Sequence, residues 1–206
     1  MRILITAGPT RESIDAVRYL SNRSSGKMGL ALAQAASDAG HEVTLLLGPI
    51  GEVTLALSVS VCRFESCADL QKLMTQHWPG QDLLIMAAAV ADYRPTVVQQ
   101  GKIPRNQGLS LQLEPTPDLV KEAVSNKQHH QHVVAFALEA PSVLLDHATQ
   151  KMHQKGVDAI VANPLKTMDS ATISAIWITA SGEQKKIPPM DKTDFARDLI
   201  SLATDL

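Results

Sequence analysis

Two rhythms of hydrophobic and polar positions alternate along the chain. Short, almost uniformly apolar runs occur as "RILIT" at 2–6, "HEVTLLLG" at 41–48, "SVSVCRF" at 58–64, "DLLIMAAAV" at 82–90, "HVVAFAL" at 132–138 and "VDAIVAN" at 157–163. Such runs read as strands of a parallel sheet covered on both faces. Between them lie stretches with helical character. "SSGKMGLALAQAASDAG" at 24–40 has serines able to cap it and Gly40 placed as its stop. "SCADLQKLMTQHW" at 66–78 has Ser66 as its cap, "TPDLVKEAV" at 116–124 has Thr116 as cap with Pro117 in the first turn, and "SVLLDHATQKMHQK" at 142–155 follows. The order predicts a doubly wound α/β fold with a mostly parallel, Rossmann-like sheet. Near the end, "ATISAIWITASGEQKKI" reads as a hairpin turning at Ser181–Gly182, with "ISAIWIT" as an apolar strand at the sheet margin; "DKTDFARDLISLATDL" closes the chain as an amphipathic helix. No repeat or linker divides the sequence, so a single domain over residues 1–206 is expected.

Composition narrows this picture. With 45% hydrophobic but only 3% aromatic residues, the core must be aliphatic. A net charge of -2 gives no basic field for nucleic acid, so any anion site must be local. Cys62 and Cys67 lie on or beside one strand, a poor arrangement for a disulfide or a metal, and fit a reduced cytoplasmic setting. The chain opens directly on a strand, and no apolar run approaches the ~20 residues of a membrane span, so neither export nor membrane insertion is expected. The histidines of "HHQH" at 129–132 lack an accompanying carboxylate or cysteine cluster and read as a solvated loop.

A parallel sheet invites a dinucleotide reading, which the first turn argues against. "TAGPTRE" holds Gly8 alone where G-x-G-x-x-G is needed, and "VTLLLGP" offers no acid for a ribose hydroxyl. "SNRSSGKMG" at 21–29 is not a Walker loop either. Ser21 stands where the first glycine belongs, and Met28 where a magnesium-binding hydroxyl should follow Lys27. Hydroxyls and free N–H groups at a helix start hold anions without either pattern.

"SNRSSGKMG" is followed by "AAAVADYRP" at 87–95, "GKI" at 101–103, "PDLV" at 117–120 and "FALE" at 136–139. Together with the opening "ILITAGPTRESIDAVRYL", Lys151, Lys155 and the "VAN" strand end, these segments closely resemble phosphopantothenoylcysteine synthetase, the phosphopantothenate-cysteine ligase of coenzyme A biosynthesis. Bacterial members are often fused behind a flavin-dependent decarboxylase, and this chain looks like a free-standing ligase. The resemblance implies that 4'-phosphopantothenate is activated by CTP with Mg2+ to an acyl-cytidylate, that cysteine then displaces CMP, and that the enzyme is a homodimer. Eukaryotic relatives often use ATP instead.

The same resemblance assigns residues. Asn22 matches an amide that contacts the acyl nucleotide and serves its breakdown; a side-chain amide can donate to a carbonyl oxygen as charge grows on it. Ser24, Ser25 and Gly26 match phosphate contacts, and Met86, Ala87 and Ala88 match backbone bordering the base. Asp92, read as ending a buried strand, matches a nucleotide contact, as do Pro117, Asp118, Leu119 and Val120. Phe136 is expected near the base. Lys151 and Lys155, four apart and so on one helix face, match nucleotide-binding lysines. Lys102 sits in a polar segment between "DYRP" and a strand "LSLQL"; the match makes it the charge on a mobile flap that closes over the triphosphate, opposing repulsion between carboxylate and α-phosphate. Metal ligands are not identified.

The sequence also departs from the family. The usual "KIKK" is "KIPR", so Arg105 stands in for the later charge and Pro104 is expected to stiffen a strand. "FAAET" is "FALEA", the Asn before "PD" is Thr116, and the Phe-x-Ser-Asp-x-Asn segment is "MDSATI" at 168–173. Two rivals to the ligase remain: a dinucleotide-dependent reductase on a similar sheet, argued against by the missing fingerprint, and a catalytically silent nucleotide-binding relative, suggested by the flap and "FALEA" changes.

Overall fold

The computed structural model describes every residue except Asn106, Gln107 and Asp169. Its elements are β1 (Arg2–Ala7), β2 (Arg11–Ser13), β3 (Tyr19–Ser21), α1 (Lys27–Asp38), β4 (Glu42–Leu47), β5 (Val59–Arg63), α2 (Cys67–His77), β6 (Leu83–Met86), β7 (Tyr93–Pro95), β8 (Leu113–Pro115), α3 (Leu119–Ser125), β9 (His132–Glu139), α4 (Leu144–Lys155), β10 (Ala159–Pro164), β11 (Thr172–Thr179), β12 (Gln184–Asp191) and α5 (Lys192–Thr204). Eight strands form one sheet in the order β12-β11-β10-β9-β6-β1-β4-β5. Six of them run parallel, and β11 and β12 add an antiparallel margin. This is the expected doubly wound, mostly parallel sheet with a C-terminal hairpin.

The uniform apolar character of the strands has a direct cause. Successive side chains point to opposite faces, and both faces are covered. Ile3, Ile5 and Ala7 enter the core shared with α1 and α5, whereas Leu4 enters the core shared with α2, α3 and α4. Along β6, Leu83 and Ile85 face the first core, and Leu84 and Met86 the second. Helix α1 lies unusually close to β1, because a Cβ placed on Gly29 would stand 2.3 Å from the Cβ of Ala7. Gly29 therefore performs the helix-to-strand packing role of a dinucleotide fingerprint's last glycine without the fingerprint.

Several expected boundaries are corrected. α2 starts where expected, with Ser66 and Asp69 forming a reciprocal capping box. α3 is capped by Asp118, not Thr116, and Pro117 precedes the cap instead of occupying the first turn. The Thr116 hydroxyl donates to the Ala91 carbonyl at 2.6 Å, which removes it from the helix. β11 is not the uncovered edge: it pairs with β10 and β12 on its two sides. The edge strand is β12, whose Lys185, Lys186, Pro188 and Pro189 are the residue types that protect an open edge. "LSLQL" contributes only Leu113 to a strand, and Pro104 lies in no strand. Two small antiparallel sheets, β2–β3 and β7–β8, stand beside the main sheet.

Candidate active site

The strand order reverses at β1, which has β4 on one side and β6 on the other. Open α/β sheets bind ligands at the carboxyl ends of strands at such a switch point. Here that point carries the segments Ser24–Gly26 and Met86–Ala91. Gly26 is the N-cap of α1 in a left-handed conformation at φ 71°, and no side chain caps the helix. The serines, expected to cap, lie one and two residues too early; Ser24 Oγ reaches only the Gly26 amide, at 3.4 Å. The amides of the first helical turn are left for another acceptor, and with the helix dipole they favour an anion. They open on a cavity of about 220 Å³ lined by Ser24, Ser25, Gly26, Lys27, Ala87, Ala88 and Phe136.

The floor of that cavity is laced to β1 and the turn that follows it by hydrogen bonds. Thr6 Oγ1 accepts from Ala88 N at 3.1 Å, Gly8 O from Ala89 N at 2.9 Å and Thr10 Oγ1 from Ala91 N at 3.0 Å. Asn22 Nδ2 donates to Val90 O at 2.8 Å, so its amide lies at the floor's margin and does not line the cavity. Thr6 and Thr10 are fully buried. Sequence reasoning missed both, although hydroxyls flanking the first turn in "ITAGPT" were the available signal. It also missed Asn163, Thr167 and Lys192, which line the cavity's far end. Asn163 Nδ2 donates to Thr167 Oγ1 at 2.8 Å, which fixes the amide's orientation. Asp169, in the altered "MDSATI" segment, lies outside the described residues.

A second cavity of about 280 Å³ adjoins the first and shares Ala88 and Phe136 with it. It gathers Met86, Asp92, Pro117, Asp118, Leu119, Val120, Lys151 and Lys155. Asp92 reaches it from an exposed loop position, since β6 ends at Met86 and not at Asp92. Both lysines project from α4 toward carboxylates: Lys151 pairs with Glu139, and Lys155 Nζ lies 3.2 Å from Asp118 Oδ1. The Lys151 ammonium, aided by His147, holds the Glu139 carboxyl below its ordinary range.

Lys102 is not in either cavity. It is exposed and borders a separate hollow of about 410 Å³ between residues 95–104 and 109–112, with Ile14 at its base. Arg105 is exposed as well, and Asn106 and Gln107 of this flap lie outside the described residues. Among the described residues there is no cluster of three His, Cys, Asp or Glu able to hold a metal. Both cysteines are free, and burial, with the charge of Glu12, pushes the Cys67 thiol up to about 11. No helix among the described residues is long and apolar enough to cross a membrane.

The family model described as the DNA/pantothenate metabolism flavoprotein C-terminal domain matches residues 1–206. The chain belongs to this family. The crystal structure of the C-terminal domain of a coenzyme A biosynthesis bifunctional protein CoaBC superposes with a TM-score of 0.84 at 36% identity, covering 98% of this chain and 92% of that one. The CoaBC of Borreliella burgdorferi is 34% identical over 203 residues, which are 98% of this chain and 52% of the relative. A protein from an unidentified prokaryote, named cysteine/cysteine sulfinic acid decarboxylase, is 41% identical over 166 residues, 80% of this chain and 46% of the relative. The chain thus spans about half the length of the curated relatives it matches. Membership places the two adjoining cavities on the fold of the CoaBC C-terminal domain.

Proposed function

We propose that this chain is a phosphopantothenate-cysteine ligase of coenzyme A biosynthesis, using CTP in the cytoplasm. The observation that carries the reading is the junction of the two cavities at Ala88 and Phe136: an uncapped helix start on one side, two lysines and a segment for a nucleoside on the other. A triphosphate at the helix amides would leave its nucleoside beside Phe136 and Pro117–Val120. The name of the prokaryotic relative describes a protein of which this chain covers 46%, and no feature of the cavities favours it.

In this reading a carboxylate oxygen of 4'-phosphopantothenate attacks the α-phosphorus of CTP. The bond to the β-phosphate breaks, and pyrophosphate leaves an acyl-cytidylate. The cysteine amine then attacks the acyl carbon and loses a proton, and CMP departs. Lys102 offsets charge repulsion in the first step, and Asn22 donates to the oxyanion of the second. Ser24, Ser25 and the Gly26 turn hold phosphate oxygens; Lys151 and Lys155 exchange their carboxylate partners for phosphate. Mg2+ fits as a companion of the nucleotide, since such ions are held by substrate phosphates with one or two carboxylates, here Asp92 or Asp118, and need no protein cage. It supplies charge neutralisation on the phosphates.

Pyrophosphate release from each of the four nucleoside triphosphates, with Mg2+ and 4'-phosphopantothenate, tests the reading. Release should be greatest with CTP. Greatest release with ATP would correct the nucleotide, and none with any nucleotide would favour the silent relative. Tight NADPH binding without CTP binding would favour the reductase.

The proposal includes a homodimer, with its interface away from the C-terminal hairpin. β12 is a protected edge, whereas Tyr19, Tyr93, Val97, Val98 and Leu113 expose apolar surface on and beside the small sheets. Apolar surface of this kind is what a partner subunit would cover. Sedimentation should give a dimer at micromolar concentration that Val97→Asp weakens; a monomer in the wild type would refute it.

A further inference from the structure

The β2–β3 turn contains a carboxylate that does more than close the turn. Asp15 has a fully buried side chain. Its Oδ1 accepts from the amides of Val17 at 2.8 Å and Arg18 at 2.7 Å, which is all a tight Asp turn requires. Its Oδ2 is turned to a segment 88 residues away, accepting from Ile103 N at 3.0 Å. The Arg18 guanidinium pairs with the same oxygen through Nε at 2.9 Å and through Nη2, and Nη2 also donates to Ile103 O at 2.8 Å. Both polar groups of the Ile103 peptide are therefore held by one ion pair. Two backbone bonds flank it: Ala16 N to Gly101 O at 3.3 Å and Gln99 N to Ile14 O at 3.1 Å.

We infer that Asp15 is a positioning residue, which with Arg18 clasps the Ile103 peptide and so fixes where the adjacent Lys102 is presented. Burying a carboxylate is costly unless every oxygen is engaged, and charge-assisted bonds are the strong ones. Ile103 brings no member to either hydrophobic core, so the second carboxylate oxygen is spent on placing a chain segment and not on packing. The same hairpin ends at Ser21, one residue before Asn22, and Ser21 Oγ is tied to Thr10 O at 2.7 Å. The clasp thereby sets the flap lysine against the hairpin that leads into Asn22. Arg18 holds the Asp15 carboxyl well below the usual carboxylate range, overcoming the opposing effect of burial, so the pair is charged at neutral pH.

This inference rests on the ligase reading for the role of Lys102, and its test separates the two. Amide hydrogen exchange is followed in the full chain and in Asp15→Ala, with Arg18→Gln as a second variant should the first fold poorly. The Ile103 amide should exchange at least about tenfold faster in the variants while the β6 amides keep their wild-type protection. Pyrophosphate release should lose kcat on the order of a hundredfold, with KM for CTP changed only a few-fold, because displacement by about 1 Å is costly to chemistry and Asp15 lines neither nucleotide cavity. Asp15→Ala combined with Lys102→Gln should be no slower than Lys102→Gln alone. Unchanged Ile103 exchange, losses that multiply in the double variant, or a loss confined to KM would each overturn the clasp. An inactive wild type with the expected exchange pattern would count against the ligase reading and leave the clasp standing.

Discussion

The floor of the site and the flap beside it are held by different kinds of contact. The floor, Met86–Ala91, grows out of β6 and is tied to β1 through Thr6 and to the turn after it through Gly8 and Thr10, so its position is inherited from the sheet. The flap grows out of a three-residue strand and is tied by the Asp15–Arg18 pair and two backbone bonds to the β2–β3 turn. A floor of this kind cannot be disturbed without disturbing stability, whereas the flap can fail while the fold persists. In the proposed reading the scaffold supplies the binding surface, and an appendage the charge of Lys102.

The largest expected effect breaks the flap alone. Lys102→Gln should suppress pyrophosphate release on the order of a hundredfold or more, equivalent to about 3 kcal/mol of transition-state stabilisation, with an unchanged denaturation midpoint. Asn22→Asp sharpens the contrast, because Asn22 sits on the floor's margin. It should still release pyrophosphate but accumulate the acyl-cytidylate, visible by mass when cysteine is present. Equal loss of pyrophosphate release in both variants, with no trapped intermediate in either, would end this division of labour.

The floor's side of the comparison is tested at Gly29. An alanine there places its Cβ 2.3 Å from that of Ala7, with the Thr6 carbonyl 3.1 Å away, so helix and strand must separate. Overpacking of this sort costs roughly 1–3 kcal/mol. The denaturant midpoint and the activity should therefore fall together. Retained stability with lost activity would show that the floor is not inherited from the sheet after all.

The same contrast explains what could be read from the sequence. The floor belongs to a sheet whose strands are apolar runs long enough to stand out between helical stretches, and those strands and the Ser66 cap were legible for that reason. The three-residue strands of the small sheets are too short to show any alternation, and so the hairpin that carries the clasp was invisible. Caps failed where tertiary contacts intervened: Thr116 gave its hydroxyl to Ala91, and the left-handed Gly26 turn displaced the serines from the start of α1. β11 was read as the uncovered margin because its apolar run stood out, whereas the edge is taken by the other arm of the hairpin, β12, with its two lysines and two prolines. Most of the residues that the resemblance assigned to the nucleotide line two adjoining cavities; family motifs, not periodicity, had singled them out. Lys102 stands apart because its position depends on a side-chain ion pair that no local pattern announces.

The smallest effect is expected at the opposite end of the sheet, where neither floor nor flap is touched. Asp82 accepts from the Arg2 amide and from Arg2 Nη2, each at 2.7 Å, just before β6. The Arg2 guanidinium holds its carboxyl down to about 2. A carboxyl depressed by folding adds stability that is full above its unfolded value near 4 and is lost as the pH falls through and below about 2. Partial exposure limits the pair to under about 1 kcal/mol. Asp82→Asn should accordingly lower the denaturation midpoint slightly at pH 7, and wild type and variant should converge only well below pH 2, with pyrophosphate release unaltered at neutral pH. A difference that persists unchanged at about pH 1 would mean that Asp82 acts through packing and not through its charge. A loss of pyrophosphate release at neutral pH would mean that the sheet transmits changes at its amino end to the floor, and the independence of the two ends would have to be abandoned.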